Sequence, residues 1–97
     1  MSAYVIFIRK SLKNLDELKI YQQLAGKASE GHAIQPLAFY GDTVCLENMD
    51  SEAVAIFKFP DMAQAKAWYH SEAYQQAKKH RDLAGEFSII LTEGLAD

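Results

Sequence analysis

Two short stretches are apolar on both faces of an extended chain, and this restricts the fold more than anything else in the sequence. Ala3–Arg9, AYVIFIR, puts Tyr4, Ile6 and Ile8 on one side and Val5 and Phe7 on the other. Ala53–Phe59, AVAIFKF, puts Val54 and Ile56 on one side and Ala55, Phe57 and Phe59 on the other. Strands of this kind are buried on both sides. They belong at the centre of a sheet, and something must cover each face.

Around them the remaining elements follow in order. Asn14 is an N-cap with Glu17 in capping-box position, and Leu15, Leu18, Tyr21 or Gln22, and Ala25 make a helical stripe that Gly31 terminates. Ile34–Tyr40 is a second strand, placed at an edge because Pro36 cannot donate to a ladder. Thr43–Glu47 is expected to form a short strand of its own. Asp61, with Gln64 three residues on, opens a second helix carrying Met62, Ala65, Trp68 and Tyr69. Ser71 caps a further short helix with Tyr74, Ala77 and Arg81 inward and a basic end, Lys78–Arg81, that complements the helix dipole. Phe87–Thr92 is the last strand. The order is β-α-β-β-α-β, a ferredoxin-like α+β sandwich with a four-stranded antiparallel sheet.

The helices of such a fold cover one sheet face. The other keeps more apolar surface than monomers usually expose. A second copy, packed sheet to sheet about a two-fold axis, is the simplest cover. A homodimer joined through the sheet face is therefore expected.

The bulk figures exclude several classes. With 97 residues, positions 1–97 make one domain. A net charge of -3 argues against nucleic acid, despite Lys78–Arg81. No signal segment and no apolar run of membrane-spanning length is visible, so no membrane partner is expected and the expected compartment is the cytoplasm. The one cysteine, Cys45, allows no internal disulfide and reads as a small buried hydrophobe. His32, His70 and His80 have no metal-ligand spacing, so neither a metal nor another cofactor is expected. His80-Arg81-Asp82 spells a kinase tripeptide without the rest of the kinase pattern and carries no meaning.

Phe59-Pro60-Asp61, Ala65, Trp68-Tyr69, Ser71, Tyr74-Gln75 and Arg81 together resemble the family catalogued as domain of unknown function 1330. Ala3-Tyr4-Val5-Ile6, Leu46-Glu47 and Leu91-Thr92-Glu93-Gly94 extend the resemblance over nearly the whole chain. Ser71-Glu72-Ala73-Tyr74 and Gly31-His32 depart from the family's usual text. The resemblance implies a dimeric α+β barrel, from a superfamily that also holds small monooxygenases, isomerases and haem-handling proteins. Fold analogy transfers no reaction.

The surplus of aromatics and that analogy suggest a cleft between the sheet and the second-helix region. It would be lined by Tyr4, Tyr40, Trp68, Tyr69, His32 and Arg81 and would hold a small organic molecule, with anions held by Arg81. Cofactor-free isomerisation or oxygenation is the chemistry such a cleft would serve; no catalytic residue is assigned. Each residue also has a plainer reading. Trp68, Tyr69 and Tyr74 read as core packing, His32 as a solvated loop residue, and Arg81 as a helix-end arginine paired with Glu47, Asp82 or Glu86. Glu47 reads as an exposed glutamate. The competing function is a non-catalytic assembly module with no ligand site.

Overall fold

A computed structural model describes residues 1–96. Strand β1 (Ala3–Leu12) leads to helix α1 (Leu15–Ala28), strand β2 (Gln35–Phe39) and strand β3 (Ala53–Phe59). Helix α2 (Met62–Tyr69), helix α3 (Glu72–Ala84) and strand β4 (Gly85–Glu93) complete the chain. The sheet is antiparallel, ordered β2-β3-β1-β4, so the two doubly apolar strands are central and Pro36 lies on an edge strand, as expected.

Each helix starts where its cap predicts. The Asn14 side chain accepts from the Glu17 N–H at 3.1 Å, Asp61 from Gln64 at 2.8 Å, and Ser71 from Tyr74 at 3.2 Å. The first capping box is only half made. Glu17 does not reach back to Asn14; its Oε2 lies 2.5 Å from His80 Nδ1, tying α1 to α3. Ser71 also donates to the Trp68 carbonyl at 2.7 Å, and Gln75 Nε2 donates to the Tyr69 carbonyl at 2.7 Å. These bonds join the end of α2 to the start of α3.

Three expectations need correction. Helix α3 is not short: it is 13 residues long and is the element that packs along α1. Its inner stripe, Tyr74, Ala77, Arg81 and Ala84, is buried. Thr43–Glu47 forms no strand, because it finds no neighbour to pair with. Val44 and Leu46 are left exposed in a loop that turns through left-handed backbone at Tyr40 and Asn48. Cys45, on the same loop, is exposed and not buried.

Register decides which face each side chain meets. Ala3, Val5, Phe7, Ala55 and Phe59 point under the helices and form the core with Ala28, Ala65, Trp68 and Tyr74. Tyr4, Ile6 and Ile8 take the other face, with Val54 and Ile56 beside them. Ile90, level with Ile6 across the ladder, is 52% exposed. Ile6, Ile8, Val54 and Ile56 are half-buried on that side, and Gly94, just past β4, stands against the Tyr4 ring.

Candidate functional site

The α1 stripe does not close fully onto the sheet. Leu18, Tyr21 and Ala25 stand above Phe7, Phe57 and Trp68, and between them remains a cavity of about 200 Å³. Ile34, Phe39 and Tyr40 close its β2 side, and the exposed Gln22, Gly26 and Phe39 stand at its rim. An apolar cavity of about 150 Å³ takes up benzene, so this one has room for a substituted ring. Its lining contains no carboxylate, imidazole or amine.

Polar groups converge on one side. Arg81 Nη1 donates to the Tyr74 hydroxyl at 3.1 Å, and the Tyr74 and Tyr21 hydroxyls are 2.9 Å apart. Arg81 is 4% exposed, with its guanidinium 5.8 Å from the Phe7 ring centre and 6.0 Å from that of Phe87. Asp82 Oδ1 is 3.4 Å from its outer edge. Arg9 lies 4.8 Å from the Tyr40 ring centre and 3.3 Å from Glu52 Oε2. Among the described residues three donors, Arg9 Nε, Trp68 Nε1 and Arg81 Nε, are buried with no hydrogen-bond partner.

Burial keeps the phenols protonated. It pushes Tyr40 up to about 12, although Arg9 beside it pulls the other way. Burial likewise pushes Tyr21 upward, and the neighbouring Tyr74 adds to the effect. Tyr74 is raised by burial against the lowering influence of Arg81. The cavity wall is therefore mostly apolar, with the neutral phenols of Tyr21 and Tyr40 in its lining and one buried cation behind Tyr74.

The structure brings together only part of the expected set. Tyr40 and Trp68 line the cavity. Arg81 is not at the surface; it lies in the core behind Tyr74, because the α3 stripe faces the sheet. Tyr69 lines a more open hollow of about 260 Å³ with Val5, Lys66 and Ile89. His32 lies in another, about 300 Å³, with Lys58 and Pro60. Tyr4 is on the opposite face of the sheet, level with Lys58 and Thr92. The apolar cavity is accordingly under α1 and not at α2. Tyr21, Phe7, Phe39 and Phe57 belong to it as well. The sequence signal for Tyr21 was its place in the α1 stripe beside Leu18 and Ala25. Among the described residues there is no cluster of His, Cys, Asp and Glu that could hold a metal ion, and no helix long and apolar enough to cross a membrane.

The family model described as Domain of unknown function (DUF1330) matches residues 2–95. The chain belongs to that family. No curated protein sequence matches it. Among solved structures it is similar to a protein of unknown function from Rhodopseudomonas palustris, with TM-score 0.72 and 16% identity over 99% of this chain and 84% of that one. A dimeric ferredoxin-like protein of unknown function from Jannaschia sp. gives TM-score 0.64 and 10% identity over 97% and 100%. SnoaB, a cofactor-independent oxygenase from Streptomyces nogalater, gives TM-score 0.61 and 9% identity over 99% and 94%. At these identities the likeness establishes the ferredoxin-like fold and nothing about chemistry.

Proposed function

We propose that this protein binds a small, largely apolar organic molecule in the α1 cavity, and does so as a homodimer joined through its open sheet face. The observation that carries this reading is the cavity itself: an aromatic-walled space of about 200 Å³ with tyrosine hydroxyls at one side. A few polar groups in an apolar hollow are the usual makeup of a small-molecule site. The dimer is supported by Ile6, Ile8, Val54, Ile56 and Ile90, which share the side of the sheet opposite the helices. A dimeric relative of the same fold adds to that support.

Chemistry in this site would be cofactor-free isomerisation or oxygenation. One relative of the fold is described as a cofactor-independent oxygenase. The cavity residues supply donors and no base. A reaction here would therefore start from a ligand that ionises readily or already carries its charge, with the hydroxyl groups holding the oxygen.

Trp68 is the chain's one tryptophan and lines the cavity, so its fluorescence reports on occupancy. Small aromatic compounds should change that fluorescence saturably and raise the melting temperature. Ala25→Leu fills the space with larger aliphatic bulk and should abolish both effects while the protein stays folded. Failure of a panel of such compounds to bind the wild type would remove the ligand reading and leave the assembly module, for which the exposed sheet face speaks.

A further inference from the structure

We infer that the cavity selects ligands whose oxygen bears negative charge, a phenolate or an enolate, and that Tyr21 is the group that receives that oxygen. This rests on the proposed occupancy of the cavity by a small organic molecule. The argument is one of proton direction. A guanidinium only donates, so at the Arg81–Tyr74 contact the Tyr74 oxygen is the acceptor. Tyr74 has one proton of its own, and the recorded acceptor within its reach is the Tyr21 oxygen at 2.9 Å. Tyr21 then accepts, and its proton is left over. Tyr21 lines the cavity and Tyr74 does not. The chain of donors that begins at a buried cation thus ends on a residue of the cavity lining. Each link polarises the next, which makes the last hydroxyl a stronger donor than an isolated phenol.

The charge behind this chain is incompletely balanced. Arg81 is 4% exposed, and Asp82, half exposed itself, is shared with Lys78 at 2.9 Å. The groups around Tyr21 are Tyr74 and Arg81 from α3 and Tyr40 after β2, with Arg9 of β1 over the Tyr40 ring. The Glu17–His80 pair is the other polar contact recorded between the side chains of α1 and α3. No carboxylate lines the cavity, so an oxygen anion there meets donors and no like charge. A ligand without an acceptor oxygen fills the space but leaves the Tyr21 proton unpaired, and a neutral oxygen pairs it less strongly than an anion does.

The test uses two probes of one shape, p-nitrophenol and p-nitrotoluene, with Trp68 quenching as the binding readout. The absorbance of bound p-nitrophenol distinguishes phenol from phenolate. In the wild type its titration should move down by about one pH unit on binding, a tenfold preference for the anion. Tyr21→Phe should lose that shift and keep its affinity for p-nitrotoluene; Tyr74→Phe should lose part of the shift. The wild-type titration decides even if a variant fails to fold. Both probes bound with the p-nitrophenol titration unmoved or moved upward would overturn the inference and leave the cavity reading standing. Neither probe bound would overturn both.

Discussion

Replacing Tyr74 by phenylalanine removes one oxygen and leaves the ring's surroundings intact. The ring is fully buried, with its centre 4.3 Å from that of Trp68 and 5.3 Å from that of Tyr69, so its packing survives. What goes is the acceptor for Arg81 at 3.1 Å and the partner of the Tyr21 hydroxyl at 2.9 Å. A hydrogen bond to a charged group contributes about 1.5–3 kcal/mol and a neutral one about 0.5–1.5 kcal/mol. Arg81 would keep Asp82 at 3.4 Å on its outer edge, but its inner edge would stay buried and unpaired. Tyr74→Phe should therefore cost about 2–4 kcal/mol. Tyr21→Phe removes only the outer link, since Tyr74 still accepts from Arg81, and should cost about 0.5–1.5 kcal/mol. Urea unfolding followed through Trp68 fluorescence, at fixed protomer concentration, measures both. With a slope of about 2 kcal/mol per molar urea, Tyr74→Phe lowers the midpoint by about 1–2 M and Tyr21→Phe by less than half of that. The double variant should cost less than the sum, because the second substitution removes a bond already broken. Equal costs for the two single variants, or strict additivity, would refute the order Arg81 to Tyr74 to Tyr21.

Other consequences are open to direct measurement. Ile90→Asp places a charge on the exposed sheet face, level with Ile6, and should convert the proposed dimer to a folded monomer in sedimentation; a dimer of unchanged strength would exclude this face as the interface. Gly85→Ala would bring a Cβ to 2.1 Å from the Ser11 carbonyl oxygen, where β4 closes on β1. It should lower the melting temperature, at a cost of about 1–3 kcal/mol, and a neutral result would mean the strand ends part without penalty. The Tyr40 phenol ionises at 10.0 in the unfolded chain but at about 12 when folded. Above pH 10 the unfolded state has released a proton that the native state still holds, so stability is complete below 10 and falls as the pH rises towards about 12. Tyr21 and Tyr74 shift in the same direction and add to the fall. Urea midpoints across that window should drop, less so in Tyr40→Phe, and a flat profile would contradict the burial of these phenols.

The cavity and the open sheet face are linked in one economy of apolar surface. Strands that are apolar on both sides give the helix side a core and leave the other side a partly exposed apolar face. The helix side is not filled evenly. Ala25, Ala28, Ala65 and Ala77 are small residues of the helices, and Ala28, Ala65 and Ala77 are buried. Where large aromatic rings from β1 and β3 face Ala25 and Gly26, space remains. Ligand affinity should therefore be sensitive to volume at position 25 and insensitive to volume at Ala77, which lies on α3 outside the cavity lining.

Much of the architecture follows from interactions a few residues long. Asn14, Asp61 and Ser71 each bond a backbone N–H three residues ahead, so the helix starts are written locally. The alternation in AYVIFIR and AVAIFKF sets two apolar faces whatever else the chain does, and Pro36 confines its strand to an edge. The candidate site is different in kind. Tyr21 and Tyr74 are 53 residues apart in the chain, and nothing in the neighbourhood of either announces the other. Arg81 sits in the basic run Lys78–Arg81 like a solvated helix end, yet the rotation of α3 on the sheet turns it inward while Lys79 stays exposed. Val44, Cys45 and Leu46 carry strand-like side chains and find no ladder. Helical and extended periodicities are properties of the backbone and its nearest neighbours, and a sequence states them directly. A cavity is the gap left when whole elements settle against each other, and its position depends on the pitch, length and tilt of helices that only the packed chain fixes.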